Sequence, residues 1–202
     1  AVSQYGVGST GSPLVTGFHA AHQALSAELC DWLGVERVLL FSSGFAANQS
    51  MLECLASADD QLLLDKLCHA SLISAAQQHP SQVKQPLRRF AHNELASLEK
   101  LLQKTASASH QLVVTEGVFS MDGDSPDLVA MDKLCQQYRT PLLLDDAHGI
   151  GVRGSAGAGS LVHAGLASSS AQCLMANFGK ALGGQGGFLA CSQVVADYLT
   201  QQ

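Results

Sequence analysis

The stretch LLLDDAHGIG, residues 142–151, decides how the chain is read. Three leucines in succession make a run that is apolar on both faces, the pattern of a strand inside a sheet covered on both sides. Two aspartates follow at once, although a desolvated carboxylate is costly unless a cation or hydrogen-bond donors meet it. Asp145 therefore ends a core strand, and His148 follows just beyond, beside Gly149. In open α/β sheets ligands bind beyond the carboxyl ends of the strands. The pair reads either as a turn cap or as a carboxylate placed for a buried cation.

Outward from this strand the same alternation continues. Short apolar or β-prone runs occur at RVLLF (37–41), QLLLD (61–65), LRRF (87–90), QLVVTEG (111–117), PLLLD (141–145), QCLMAN (172–177) and GGFLAC (186–191). Amphipathic helical patterns precede the first of them, at 19–34, and fall between later ones, at 44–56, 69–78, 93–104 and 127–138. Gly34 supplies the stop of the first helix. Asn93 is the expected N-cap of NELASLEKLLQK, whose Leu95, Leu98, Leu101 and Leu102 share a face. This order predicts an α/β fold, a mostly parallel sheet of about seven strands flanked by helices. The glycine-rich patches 6–17, 149–159 and 183–187 read as loops, the second as the most mobile.

Composition narrows the function. Of 202 residues, 47% are hydrophobic and 14% charged, with a net charge of −6. So few charges imply a surface covered by a partner or by further chain. No basic cluster exists outside LRRF, which excludes nucleic acid and anionic membrane as partners. No apolar run approaches the roughly 20 residues that cross a bilayer. Six scattered cysteines without a C-x-x-C pair suit reduced thiols in the cytoplasm rather than disulfides or zinc. A start at Ala1 and a close in VVADYLTQQ, a helix-like run, predict a fragment of a longer protein.

Other residues can carry chemistry at the same edge. Lys180, in ANFGKALGGQGG, stands between a β-run and a glycine patch in a region poor in positive charge. A lysine whose pKa is lowered by desolvation or by a nearby cation can form a Schiff base, though most lysines are solvated surface groups. Ser42, Ser43 and Gly44 lie between a strand and a helix, so the amides near Gly44 and Phe45 are candidates for a phosphate, or Ser43 is an ordinary cap. His69 and Ser120 each follow a strand end. His19 and His22 share a helix face but lack a third metal ligand and read as polar-face residues. His79, His92, His110 and His163 read as inert.

Taken in order, SSGFAANQ (42–49), CHASL (68–72), TEGVFSMDGD (115–124), LLLDDAHGIGV (142–152) and FGKALGGQGG (178–187) resemble the α-oxoamine synthases. These are pyridoxal-phosphate enzymes of the aminotransferase-like fold, fold type I. The resemblance runs from YGVGSTGSPLVTG (5–17) onward, and TEGVFSMDGD and DDAHG are its most specific pieces. It implies pyridoxal 5'-phosphate as cofactor, with catalytic Lys180, His69 and Asp145 and no metal. Lys180 would hold the cofactor covalently and move a substrate α-proton. Asp145 would keep the pyridine nitrogen protonated, and His69 would stack on the ring. His148 and Ser120 would meet its phenolic oxygen, and Gly44 and Phe45 its phosphate. Asp146 receives no role.

Two positions depart from the family pattern. Asn177, three residues before Lys180, replaces a phosphate-binding Thr or Ser, although its amide can still donate. Pro13 stands where a basic residue is expected, which removes a charge and an N–H. The resemblance further implies a glycine-rich opening segment (1–18) and a large cofactor-binding domain (19–202). A preceding segment and a carboxy-terminal small domain, with its substrate-carboxylate arginine, would lie outside these residues. DDAHG points to the branch that condenses L-alanine with a pimeloyl thioester, CoA- or carrier-protein-linked. Alternatives are sister enzymes using glycine or serine with another acyl-CoA, and a non-catalytic cofactor-binding module. A homodimer is implied, with the glycine-rich loop reaching the neighbour's pocket. A dinucleotide fold ranks low, because no G-x-G-x-x-G joins a first strand to a helix.

Overall fold

The structure is a computed structural model that describes residues 2–9, 11–106, 108 and 110–202. All seven β-prone runs are strands of a single sheet: β1 Arg37–Phe41, β2 Gln61–Asp65, β3 Arg88–Phe90, β4 Gln111–Glu116, β5 Leu142–Asp145, β6 Cys173–Asn177 and β7 Gly187–Cys191. Their order is β1-β7-β6-β5-β4-β2-β3. Neighbours from β6 to β3 are parallel, whereas β7 runs antiparallel to both β1 and β6.

The apolar alternation along each strand divides the core into two layers. Leu63, Val113, Leu142, Leu144 and Leu174 face α2 (Ala20–Leu33), α5 (Leu95–Lys104) and α6 (Leu128–Tyr138). Leu62, Leu64, Val114, Leu143 and Met175 face α3 (Gly44–Leu55), α4 (Ala70–Gln78) and α8 (Gln193–Thr200). Because Asp145 is two residues beyond Leu143, its side chain emerges on the α3 and α4 side, which decides what it can touch.

Helix ends follow the sequence signals with one exception. Gly34 adopts φ 64° and closes α2 by donating to the Cys30 carbonyl. Asn93 is not a cap: the residue before α5 is Glu94, and Asn93 takes φ 55°. Its backbone N–H donates to Asp65 Oδ2 (2.9 Å) and its amide to Asp124 Oδ2 (2.7 Å), so two carboxylates claim it first. The loop 149–159 is also more tied down than its glycines suggest. Gly151 donates to the Gly157 carbonyl (2.8 Å) and Trp32 Nε1 to that of Ala156 (3.0 Å). Among the described residues no helix is long and apolar enough to cross a membrane.

Candidate active site

Parallel register brings three strand ends level: Glu116 of β4 pairs with Asp145 of β5, which pairs with Met175 of β6. Everything the chain appends to those ends projects beyond the same sheet edge.

Asp145 is 4% exposed. Its Oδ2 accepts from Asn48 Nδ2 of α3 (2.7 Å) and its Oδ1 from the Ala147 N–H (3.0 Å). Burial raises its pKa, while those two donors and the nearby Lys180 charge pull it back. Asp146 turns away from this cluster, its Oδ2 accepting from the Ser160 N–H (2.7 Å) and its Oδ1 from the Ser160 hydroxyl (2.6 Å). Burial lifts it to about 6 against those two bonds. The two adjacent acids thus serve different ends, one facing the site and one pinning the start of α7 (Ser160–His163).

Lys180 is exposed, three residues past the end of β6, and its Nζ donates to His148 Nε2 at 2.7 Å. Burial, then the Lys180 charge, lowers the His148 pKa, in keeping with an unprotonated Nε2 that accepts. Among the described residues no carboxylate forms an ion pair with Lys180. His69 caps the N-terminus of α4, its Nδ1 accepting from the Ser71 N–H (3.2 Å) and meeting the Ser71 hydroxyl at 2.8 Å. The chain therefore brings Lys180, His148, Asp145 and His69 together.

A fifth element completes the rim. Ser43 caps α3 by accepting from the Ala46 N–H at 3.1 Å, which leaves the Gly44 and Phe45 amides with no acceptor among the described residues. Asn177 closes on that helix start. A Cβ on Gly44 would meet Asn177 Cβ at 3.2 Å, and the buried Asn177 Oδ1 has no partner. Ser120 lies in the turn beyond β4, exposed, and no side-chain hydrogen bond ties it to the others among the described residues.

Three contributors lie outside the sequence reading. Glu116, 3% exposed, accepts a short hydrogen bond from the His69 N–H. Burial and the Asp145 charge push it up to about 8, against that N–H and Lys180. Asn48 and Ser71, each 1% exposed, link Asp145 to His69. A buried Asn in a helix is the signal that could have found Asn48. His92, read as inert, instead bridges Asp65 and Asp124 at 2.8 Å each and stands edge-on to Phe119. Burial presses against its charged form, yet the two carboxylates outweigh it and raise its pKa. His92 thus fastens the β4 loop to the end of β2. His19 and His22 cap α2 together, and no metal-ligating cluster occurs among the described residues.

A family model for aminotransferase class I and II matches residues 8–202. The 8-amino-7-oxononanoate synthase of Vibrio atlanticus is 52% identical over 200 residues, covering 99% of this chain and 47% of that protein. That of Yersinia enterocolitica is 52% identical over 198 residues, covering 98% and 50%. The chain spans about half the length of the curated relatives it matches. Among solved structures, a Sphingomonas wittichii serine palmitoyltransferase superposes with a TM-score of 0.92 at 31% identity, covering 99% of this chain and 49% of that one. A serine palmitoyltransferase of S. paucimobilis with bound PLP and myriocin gives 0.91 at 28% identity, covering 99% and 49%. The Francisella tularensis 8-amino-7-oxononanoate synthase gives 0.81 at 29%, covering 99% and 54%. With a family model matched across nearly its whole length, and with a sheet edge built as described, the chain belongs to the aminotransferase class I and II family.

Proposed function

We propose that this chain is the cofactor-binding part of an enzyme that condenses L-alanine with a pimeloyl thioester, CoA- or carrier-protein-linked, and releases carbon dioxide to give 8-amino-7-oxononanoate, a step of biotin formation. The observation that carries the substrate assignment is the 47–52% identity to 8-amino-7-oxononanoate synthases along almost every residue. Shape alone does not choose the branch, because serine palmitoyltransferases at 28–31% identity superpose with TM-scores of 0.91–0.92, above the 0.81 of the Francisella tularensis 8-amino-7-oxononanoate synthase at 29%.

The residues present fit pyridoxal phosphate. Among the described residues Asp145 is a buried carboxylate without an ion-pair partner, Lys180 is an amine without one, and Asn177 Oδ1 and the α3 amides are polar groups left over at the rim. Pyridoxal phosphate, when bound, supplies an electron sink for the charge left on the substrate α-carbon. Lys180 Nζ would hold the cofactor and would be the group that takes the α-proton; in the chain as it stands its Nζ donates to His148 Nε2. Asp145 would keep a proton on the pyridine nitrogen, which would give the buried carboxylate its cation. His69 would lie against the ring. The Gly44 and Phe45 amides and Asn177 would take the phosphate at the positive end of α3, and His148 and Ser120 would meet the phenolic oxygen.

The working enzyme is a cytoplasmic homodimer, with 1–18 as a segment separate from the domain 19–202. The full-length protein, loaded with pyridoxal phosphate, should release CoA from pimeloyl-CoA faster with L-alanine than with glycine or serine. Lys180→Ala should abolish that release. Faster turnover with glycine or serine would reassign the chain to a sister activity, and an active Lys180→Ala would remove Lys180 from its role.

A further inference from the structure

Asp145 and His69 are joined through Asn48 and Ser71 by a continuous chain of buried hydrogen bonds. Asn48 Nδ2 donates to Asp145 Oδ2 at 2.7 Å and to Ser71 Oγ at 3.0 Å. Ser71 Oγ lies 2.8 Å from His69 Nδ1. The direction of each bond follows from the first. An amide turned the other way would set Asn48 Oδ1 against the Asp145 oxygen, acceptor to acceptor, so the ionised carboxylate fixes which end of Asn48 is the donor. The second Asn48 N–H then points at Ser71 Oγ, and the Ser71 proton is left for His69 Nδ1. Nδ1 also receives the Ser71 N–H, so it accepts twice and the ring proton resides on Nε2. Asn48 Oδ1 is left buried without a partner. An apolar side chain of similar size would avoid that orphan, so the amide is retained for what its two N–H groups hold.

We propose that Asn48 is a positioning residue that, through Ser71, ties the ring tautomer of His69 to the ionised carboxylate of Asp145. Its functional weight rests on the role proposed for His69 beside pyridoxal phosphate, where the ring must keep one face and one N–H direction. The tautomer itself is a property of this chain and can be read without turnover.

The test is long-range ¹H–¹⁵N correlation of histidine rings in the full-length protein labelled with ¹⁵N-histidine, with and without pyridoxal phosphate. The His69 pattern is assigned by its loss in His69→Asn. In the wild type Nδ1 should be unprotonated and Nε2 protonated. Asn48→Leu, close in volume but without a donor, frees the Ser71 hydroxyl to accept and leaves only the longer 3.2 Å bond from the Ser71 N–H to hold Nδ1 unprotonated, so a second pattern with a protonated Nδ1 should appear beside the first. Ser71→Ala likewise leaves Nδ1 only the backbone N–H of residue 71 and should show the same second pattern, and it decides the matter alone if Asn48→Leu does not fold. A wild-type ring protonated at Nδ1, or a single Nε2–H pattern surviving in the folded variants, would overturn the proposal. If the tautomer responds as expected while alanine-dependent CoA release is absent, the proposed reaction fails and the relay stands.

Discussion

Glu116 and Asp145 end neighbouring strands as register partners, so two buried carboxylates share one edge. Burial first, then the Asp145 charge, holds Glu116 protonated to about pH 8. Between the ordinary carboxylate value of 4.5 and about 8 the folded chain keeps a proton that the unfolded chain has lost. Stability must therefore fall as pH rises through that window and level off above it. The displacement is worth about 5 kcal/mol at most. Glu116→Gln retains an acceptor for the His69 N–H and removes the titration. Its melting temperature without cofactor should match the wild type near pH 5 and exceed it at pH 9. Equal melting at both pH values would mean that Glu116 ionises without cost. The sequence could not show this residue's place. A glutamate closing a β-run looks like a solvated strand end, and only the register with β5 reveals the second carboxylate. Asp145, His148 and Lys180 were legible because each stands immediately after a core strand or between glycines. Asn48 was not, since its partner is 97 residues away and nothing local marks it.

The stretch from β5 to α7 shows how an element can be specified by what it excludes. Asp146 sits in a cradle where a Cβ on Gly117 or Gly149 would each come 2.1 Å from its Oδ1, and one on Gly159 2.4 Å from its Oδ2. The last of these also has φ 101°, so two independent reasons keep it glycine. The same virtual Cβ on Gly149 would lie 2.2 Å from Ser160 Oγ. Gly149→Ala must therefore break the Asp146–Ser160 pair or shift the backbone. Adding the cost of overpacking to that of an unpaired buried carboxylate, it should destabilise the chain by roughly 2–4 kcal/mol, read as a lower urea midpoint. A midpoint unchanged from the wild type would show that the cradle is loose. Glycine content alone suggested a mobile loop here, because a sequence does not say whether a glycine serves freedom or close contact. The same ambiguity hides the direction of β7, whose five buried residues would read alike in a parallel or antiparallel strand.

At the scale of the molecule, the sheet separates two hydrophobic layers that stability cannot distinguish but the site can. Leu143 and Leu144 are both 0% exposed, on opposite faces of β5. Leu143 belongs to the layer of Ala47, Met51 and Leu72, which seats α3 and α4 and with them Asn48, Ser71 and the helix start at Gly44. Leu144 belongs to the layer of Leu98, Met131 and Leu161, whose helices carry none of the residues assigned to the cofactor. Truncation of either to alanine leaves a core cavity and should cost about 2–5 kcal/mol. Only Leu143→Ala loosens the packing of the two helices that hold the Asp145–His69 connection and the phosphate amides. Pyridoxal phosphate should therefore bind Leu143→Ala several-fold more weakly than Leu144→Ala at matched stability, measured by titration of the visible absorbance. Equal losses would mean that the cofactor senses the stability of the whole sheet, and that the layer on the α3 and α4 side has no special part in holding the site.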